Sequence, residues 1–211
     1  MERRKTQSSK GIGPAHNGTY TSYYPRLGKT VIKSKPKKRK ADEWSDKQKQ
    51  ARTRFHKLSY FAFANKTDVI NPIWNLSPEN RHTGYSLFMK YNSKAFGANG
   101  ELTDASLVNV SNGSLPVPTD ISIKKRRKNL TFDISWSKDE YNFKNQYEDT
   151  LVYAILVEDL MIGVYYTDIK REALFASITI KDFGELNDYI YIFFTNKDRT
   201  AFSNSRALKM K

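Results

Sequence analysis

The sequence predicts an α+β chain in three parts: a basic N-terminal arm with a β-hairpin (residues 1–44), a short helical segment (45–112) and a C-terminal seven-stranded antiparallel β-sandwich (113–211). Charge separates the first part, since residues 1–57 hold 17 Lys and Arg against 4 Asp and Glu, whereas residues 58–211 hold 19 against 18. Apolar residues recur at helical spacing between 45 and 96, and alternate with polar ones after residue 113.

The composition excludes several classes of site. With no cysteine in 211 residues, the chain has no disulfide, thiolate metal site or cysteine nucleophile. Its apolar runs are too short to cross a bilayer, and the opening residues do not resemble a signal peptide. We therefore expect a cytoplasmic protein, or one packaged into a virion, with no membrane partner.

The arm contains two strand-like runs, residues 19–24 and 29–32, with a Pro-Arg-Leu-Gly turn between them. A β-hairpin is predicted here. The densest basic run of the chain follows at residues 33–40.

The helical segment has two predicted starts. Ser45 with Gln48 forms a capping-box pattern, and residues 77–79 (Ser-Pro-Glu) form a second start after the break at Asn71-Pro72. The predicted apolar stripes are Ala51, Phe55, Leu58 and Ala62 in the first helix, and Tyr85, Phe88, Met89 and Phe96 in the second. We expect two amphipathic helices that face each other.

Seven strands are predicted after residue 113, at residues 120–125, 130–136, 150–157, 161–167, 174–180, 189–195 and 205–210. Turn residues such as Glu158-Asp159 separate them. The stretch 189–194 is apolar at every position, which indicates a strand covered on both faces, either within the core or against another subunit.

The concentration of charge predicts that the chain binds a polyanion, either nucleic acid or an acidic protein subunit. The candidate cations are Lys33, Lys35, Lys37, Lys38, Arg39, Lys40, Arg52, Arg54, Lys124, Lys125, Arg126, Arg127 and Lys128. The candidates for stacking on unpaired bases are Tyr20, Tyr23, Tyr24 and Trp44. The alternative for either basic run is a solvated segment, and no motif of a base-reading helix is present.

No catalytic signature is present, and neither a cofactor nor a metal ion is predicted. The histidines at 16, 56 and 82 lack carboxylates at metal-ligand spacing, and the acidic pairs at 139/140, 148/149 and 158/159 fall at predicted turns. Gly11-Ile12-Gly13 lacks the third glycine and the helix of a phosphate-binding loop. We therefore predict that the chain is not an enzyme.

Several short motifs run through nearly the whole chain. They are Lys10-Gly11-Ile12-Gly13-Pro14, Gly28-Lys29-Thr30-Val31-Ile32-Lys33-Ser34-Lys35-Pro36, Arg52-Thr53-Arg54-Phe55, Thr83-Gly84-Tyr85-Ser86-Leu87-Phe88-Met89-Lys90-Tyr91-Asn92, Ser111-Asn112-Gly113-Ser114-Leu115-Pro116, Leu130-Thr131-Phe132 with Trp136, and Ser203-Asn204-Ser205. In their order and spacing the chain resembles a family of Bacteroidota and their phages that carries a domain of unknown function. The resemblance implies an N-terminal β/helical part joined to a fibronectin-like or immunoglobulin-like sandwich, and no reaction.

These features favour a non-enzymatic structural or assembly protein. Its arm would contact nucleic acid or neighbouring subunits of an oligomer, and its sandwich would serve as an interaction module. By analogy, a component of a phage particle combines such an arm with such a module. The alternative is a free nucleic-acid-binding protein that uses the same basic region.

Overall fold

The computed structural model describes residues 19–24, 29–34, 44–77, 79, 82–118, 120–126, 130–138, 147–180 and 186–210. The chain divides into two compact units, Met1–Ser45 and Asp46–Lys211. In the first unit, strands β1 (Thr19–Tyr24) and β2 (Lys29–Ser34) pair antiparallel, from Thr19 with Ser34 to Tyr24 with Lys29. The predicted hairpin is confirmed, and its turn lies outside the described residues.

The second unit begins with helices. Helix α1 spans Asp46–Ala64 and continues into a single π-helical turn, Lys66–Ile70, and helix α2 spans Gly84–Asn92. Short 3₁₀ turns lie at Trp74–Leu76, Ser93–Ala95, Ala105–Leu107 and Arg171–Ala173. The predicted pair of facing helices is present: the Phe61 ring of α1 stacks on the Phe88 ring of α2 at 5.5 Å between centroids.

The predicted start of the second helix at residues 77–79 is wrong. Ser77 is extended (φ −59°, ψ 140°), which is the backbone that a residue before proline prefers. Instead, Thr83 caps α2, because its Oγ1 accepts a hydrogen bond from the Ser86 N–H at 3.2 Å. Proline at position 78 therefore precedes the helix by several residues.

Seven strands form two antiparallel sheets. They are β3 (Ser122–Lys125), β4 (Thr131–Ser135), β5 (Thr150–Val157), β6 (Met161–Lys170), β7 (Phe175–Thr179), β8 (Leu186–Thr195) and β9 (Arg206–Lys209). The first sheet has the order β3-β4-β7 and the second β6-β5-β8-β9. All seven predicted strands are confirmed, and Glu158 and Asp159 form the predicted β5–β6 turn with positive φ at both residues.

The second sheet is covered on both faces. One cluster lies between the two sheets and contains Phe132, Ile134, Trp136, Leu151, Ile155, Ala176, Ile178, Ile190, Ile192 and Phe194. On the opposite face, a second cluster joins the helices to the sheet through Leu58, Phe61, Trp74, Phe88, Val152, Ala154, Leu156, Tyr191 and Phe193. The apolar stretch 189–194 is therefore buried on both sides within this chain, by the first sheet and by the helices.

Replacing Tyr191 with phenylalanine tests how firmly the helical layer is attached. The buried Tyr191 hydroxyl donates to the Ala105 carbonyl at 2.6 Å, and burial raises the pKa of this hydroxyl. Because the variant leaves a buried carbonyl unsatisfied, we expect the free energy of unfolding to fall by about 1–3 kcal/mol in a urea titration. Tyr85→Phe is the control, since its hydroxyl bonds to the exposed Ser59 Oγ, and a loss as large there would contradict the assignment.

Candidate nucleic-acid interface

The first three turns of α1 are exposed on every side. All side chains from Asp46 to Lys57 are exposed, and Leu58 is the first buried residue of the helix. The exposed stretch carries one acidic residue, Asp46, and five basic residues, Lys47, Lys49, Arg52, Arg54 and Lys57. A helix of this length is only marginally stable by itself in water, so its packed C-terminal half must anchor it.

One side of α1 carries both cations and aromatic rings. Residues three or four positions apart share a side of a helix, and Lys49, Arg52, His56, Tyr60 and Phe63 follow this spacing. We call these five residues the α1 outer face, because they point away from the buried residues Leu58, Phe61 and Ala62. Tyr60 is 57% exposed and Phe63 71% exposed.

The α1 outer face suits a single-stranded polyanion. Its five residues span about 21 Å along the helix axis, with the cations towards the N-terminal end and the rings towards the C-terminal end. The positive end of the helix dipole adds to the cationic half. Cations neutralise backbone phosphates, and exposed aromatic rings stack on unpaired bases regardless of sequence.

The predicted apolar stripe of α1 is only half correct. Leu58 and Ala62 are buried, but Ala51 is exposed and Phe55 is 63% exposed. The buried residues of α1 lie in its last two turns, and within the described residues no buried apolar cluster includes the earlier positions. Tyr60 and Phe63 are not among the stacking candidates predicted from the sequence. The sequence does contain a signal for them, because aromatic residues at 60, 61 and 63 cannot all lie on one side of a helix.

The candidates in the first unit are only partly described. Lys33 lies on β2 as the backbone partner of Tyr20, while Tyr23 pairs with Thr30 and Tyr24 with Lys29. Trp44 is half-buried. The cations at Lys35, Lys37, Lys38, Arg39 and Lys40 lie outside the described residues, so their role stays a prediction.

The second basic run lies on the β3–β4 hairpin. Lys124 and Lys125 are exposed at the end of β3, and Arg127 and Lys128 lie outside the described residues. Arg126 Nε donates to Asp133 Oδ2 at 2.8 Å, which raises the pKa of Arg126 and lowers the pKa of Asp133. Among the described residues of this hairpin, Arg126 is engaged in this exposed ion pair, and Lys124 and Lys125 are the other cations.

The two basic groups of the second unit sit on separate elements. Helix α1 packs against α2 and the π-helical turn, whereas β3 packs against β4 and β9. Arg52 and Arg54 therefore belong to the helical layer, and Lys124 and Lys125 to the first sheet. The basic group on α1 shares its side of the helix with the exposed aromatic rings of the α1 outer face.

The described members of the candidate acid–base pairs lie in a buried ion pair and in a turn. Asp149 is buried beside Arg171, and Glu158 and Asp159 form the β5–β6 turn; residues 139 and 140 lie outside the described residues. His56 and His82 are exposed. Within the described ranges, no three His, Asp or Glu side chains gather into a group that could hold a metal ion.

None of the helices in the described part of the chain has the length and apolar character needed to span a membrane. No model of a known protein family matches this chain, and no curated protein matches it either. The exposed cations and aromatic rings of the α1 outer face are therefore the basis of the function proposed below.

Proposed function

We propose that this chain is a non-enzymatic assembly protein, of the kind found in phage particles, that binds nucleic acid through its basic N-terminal region and the α1 outer face. One observation carries the proposal: the N-terminal half of α1 has no buried residue, and its exposed charge is strongly positive. A stretch of helix without buried residues adds little to the core. Its exposed surface is suited to a partner of opposite charge.

The charge distribution supports a polyanion as that partner. Residues 1–57 hold 17 Lys and Arg against 4 Asp and Glu, and α1 contains the last five of those cations. The rest of the chain is nearly neutral, with 19 against 18. The positive charge is therefore concentrated in the first 57 residues of the chain, which include most of α1.

The sandwich supports a role as an interaction module of the fibronectin type. In constant-type immunoglobulin domains the fourth strand joins the first sheet, which then has four strands. Here the fourth strand of the sandwich, β6, lies instead at the edge of the second sheet beside β5, so the sheets have three and four strands. We propose a fibronectin-like module on this basis, and the division into sheets of three and four strands supports it.

A free nucleic-acid-binding protein is the alternative, and Tyr60 and Phe63 favour it, since exposed rings are typical of proteins that hold single strands by stacking. The two functions differ in what forms on the nucleic acid. An assembly protein forms an oligomer of defined size, whereas a free binder coats the strand in proportion to its length. Light scattering on oligonucleotides of two lengths separates them.

The binding test uses fluorescence anisotropy with a 20-nucleotide single strand between 50 and 300 mM salt. Lys49→Glu/Arg52→Glu should weaken binding at least about tenfold at low salt and reduce the salt slope by about 1.4, at roughly 0.7 for each lost phosphate contact. Tyr60→Ala/Phe63→Ala should weaken binding without changing that slope, because stacking releases no counterions.

The charge-matched control is Lys197→Glu/Lys209→Glu, which makes the same change in net charge at exposed positions of the sandwich. It should retain most of the affinity. An equal loss in this control would show that net charge, and not the α1 outer face, determines binding. A wild-type chain that binds no single strand at 50 mM salt would refute the proposal.

A further inference from the structure

A second line of exposed aromatic rings runs along α1 beside the α1 outer face. Phe55, Ser59 and Phe63 follow one another at intervals of four residues, so they share a side of the helix. Phe55 is 63% exposed and Phe63 is 71% exposed, and neither ring belongs to a buried cluster of the described residues. These two rings therefore contribute little to the core.

Helix α2 places a third ring beside this line. The Tyr85 hydroxyl and the Ser59 Oγ share a hydrogen bond at 2.8 Å, midway between the two phenylalanines. The stacked rings of Phe61 and Phe88 hold the two helices together, so the position of Tyr85 is set by packing. Tyr85 is nevertheless 37% exposed. We call Phe55, Phe63 and Tyr85 the aromatic row.

The spacing of the aromatic row suits unpaired bases that are separated from one another. Four residues of an α-helix rise by about 6 Å, so successive positions of the row lie about 6 Å apart along α1. Stacked neighbours in a nucleic-acid strand lie about 3.4 Å apart, and a base that stacks between two rings requires about 6.8 Å between them. The row therefore matches an extended strand, whose bases stack on protein rings in place of one another.

Cations continue the aromatic row towards the N-terminus of α1. Arg52 lies three positions before Phe55, and Lys49 lies three positions before Arg52. Both cations are exposed, and the only acidic residue of α1 is Asp46, 3.7 Å from the Lys49 ammonium. A nucleic-acid strand supplies phosphates for the cations and flat bases for the rings, whereas an acidic peptide has no regular series of flat groups.

We propose that the aromatic row extends the nucleic-acid interface from α1 onto α2 and holds the bound strand extended, with its bases separated by the three rings. The inference rests on the proposed function, and it adds Phe55 and Tyr85 as binding residues and an extended single strand as the ligand. Phe63 belongs to both the aromatic row and the α1 outer face, and so joins the two surfaces. A duplex should bind less tightly, since its bases stay paired and stacked.

The test combines protein variants with bases removed from the strand, as a double-mutant cycle. Fluorescence anisotropy compares a 20-nucleotide thymidine strand with the same strand carrying abasic sites at every second position. Phe55→Ala/Tyr85→Ala should bind the intact strand about tenfold or more weakly than the wild type does. The abasic sites should weaken binding to the wild type, and should weaken binding to the variant several-fold less.

Two matched variants control this measurement. Phe175→Ala removes a ring that is 48% exposed on β7, outside the interface, and Tyr85→Phe keeps the ring of the aromatic row. Both should retain the wild-type affinity. Polyglutamate, which carries charge without bases, should bind the wild type and Phe55→Ala/Tyr85→Ala equally. Circular dichroism checks that each variant is folded.

A second measurement uses the unaltered chain. Energy transfer between dyes at the two ends of a 12-nucleotide strand should fall on binding, because separated bases lengthen the strand. Unchanged transfer on binding, or an effect of abasic sites that is equal in wild type and Phe55→Ala/Tyr85→Ala, would overturn the inference. If Tyr60→Ala/Phe63→Ala weakens binding while Phe55→Ala/Tyr85→Ala does not, the inference fails and the proposed function stands. A wild-type chain that binds no strand refutes both.

Discussion

Replacing Gly113 with alanine is expected to lower the free energy of unfolding by about 3 kcal/mol or more, a large effect for one methyl group. A Cβ at this position would lie 1.8 Å from the carbonyl oxygen of Phe202 and 2.5 Å from its carbonyl carbon. Both contacts are with backbone atoms, which cannot rotate away as a side chain can. One of the two chain segments must therefore move.

The displaced segments join the start and the end of the sandwich. Ser205 Oγ accepts from the Val110 N–H at 3.0 Å, and Asn204 Oδ1 accepts from the Gly113 N–H at 3.0 Å. The Phe202 carbonyl accepts from the Leu115 N–H at 3.0 Å. Phe202 itself is buried against Phe193. Separating residues 110–115 from 202–205 would break these bonds and open the core beneath them.

Urea denaturation of matched variants measures this effect. Gly97→Ala is the control, because the nearest atom to its Cβ is the Thr103 side-chain methyl at 2.7 Å, which can shift, and the loss there should be about 1 kcal/mol or less. Asn204→Ala should give a graded loss of about 1 kcal/mol, since it removes one hydrogen bond at an exposed position. Equal unfolding midpoints for the two glycine variants would show that the junction is not tightly packed.

Replacing Arg171 with methionine is expected to destabilise the sandwich by about 3–5 kcal/mol at neutral pH, because it leaves a buried carboxylate without its cation. Arg171 and Asp149 are both almost fully buried, with Nη2 and Oδ2 3.6 Å apart. The Arg171 Nη2 also donates to the Pro116 carbonyl at 2.7 Å, and its guanidinium lies 4.5 Å from the centre of the Phe194 ring.

The destabilisation should grow with pH. Burial raises the pKa of Asp149 above its ordinary value, and Arg171 partly opposes that rise. A group whose pKa is raised by folding stabilises the fold below its unfolded pKa, and this contribution is lost as the pH rises through the folded value. Without Arg171 the pKa of Asp149 rises further. The difference between variant and wild type should therefore be smaller at acid pH, where Asp149 is protonated in both proteins, and larger at alkaline pH, where the carboxylate is charged.

Comparing variant with wild type at each pH separates Asp149 from other carboxylates. The Tyr91 hydroxyl lowers the pKa of Glu79, and Arg126 lowers that of Asp133, so their stabilisation is lost as the pH falls, but equally in both proteins. The exposed Arg206→Met is the control and should change stability by less than about 0.5 kcal/mol. Arg171→Met/Asp149→Leu should recover much of the loss. A pH-independent difference would show that lost packing, not the buried charge, is responsible.

Local pattern was a good guide to the strands and to the start of α1, and a poor one to the start of α2. The predicted bounds of β5, residues 150–157, are those observed, because a short apolar run lies between two Glu-Asp pairs that mark its ends. The helix predicted from residue 77 begins at Gly84 instead, because Ser77 before proline stays extended. Phe55 matches an apolar stripe and yet is exposed, because burial depends on what lies opposite a residue.

Residues close together in the chain are enough to predict the concentration of charge, the hairpin and the seven strands, and the composition excludes cysteine chemistry. Packing decides which side of α1 is exposed, that Gly113 lies against Phe202 and that Arg171 pairs with Asp149. These contacts join residues far apart in sequence, and their energies depend on burial and distance, which the packed chain alone establishes.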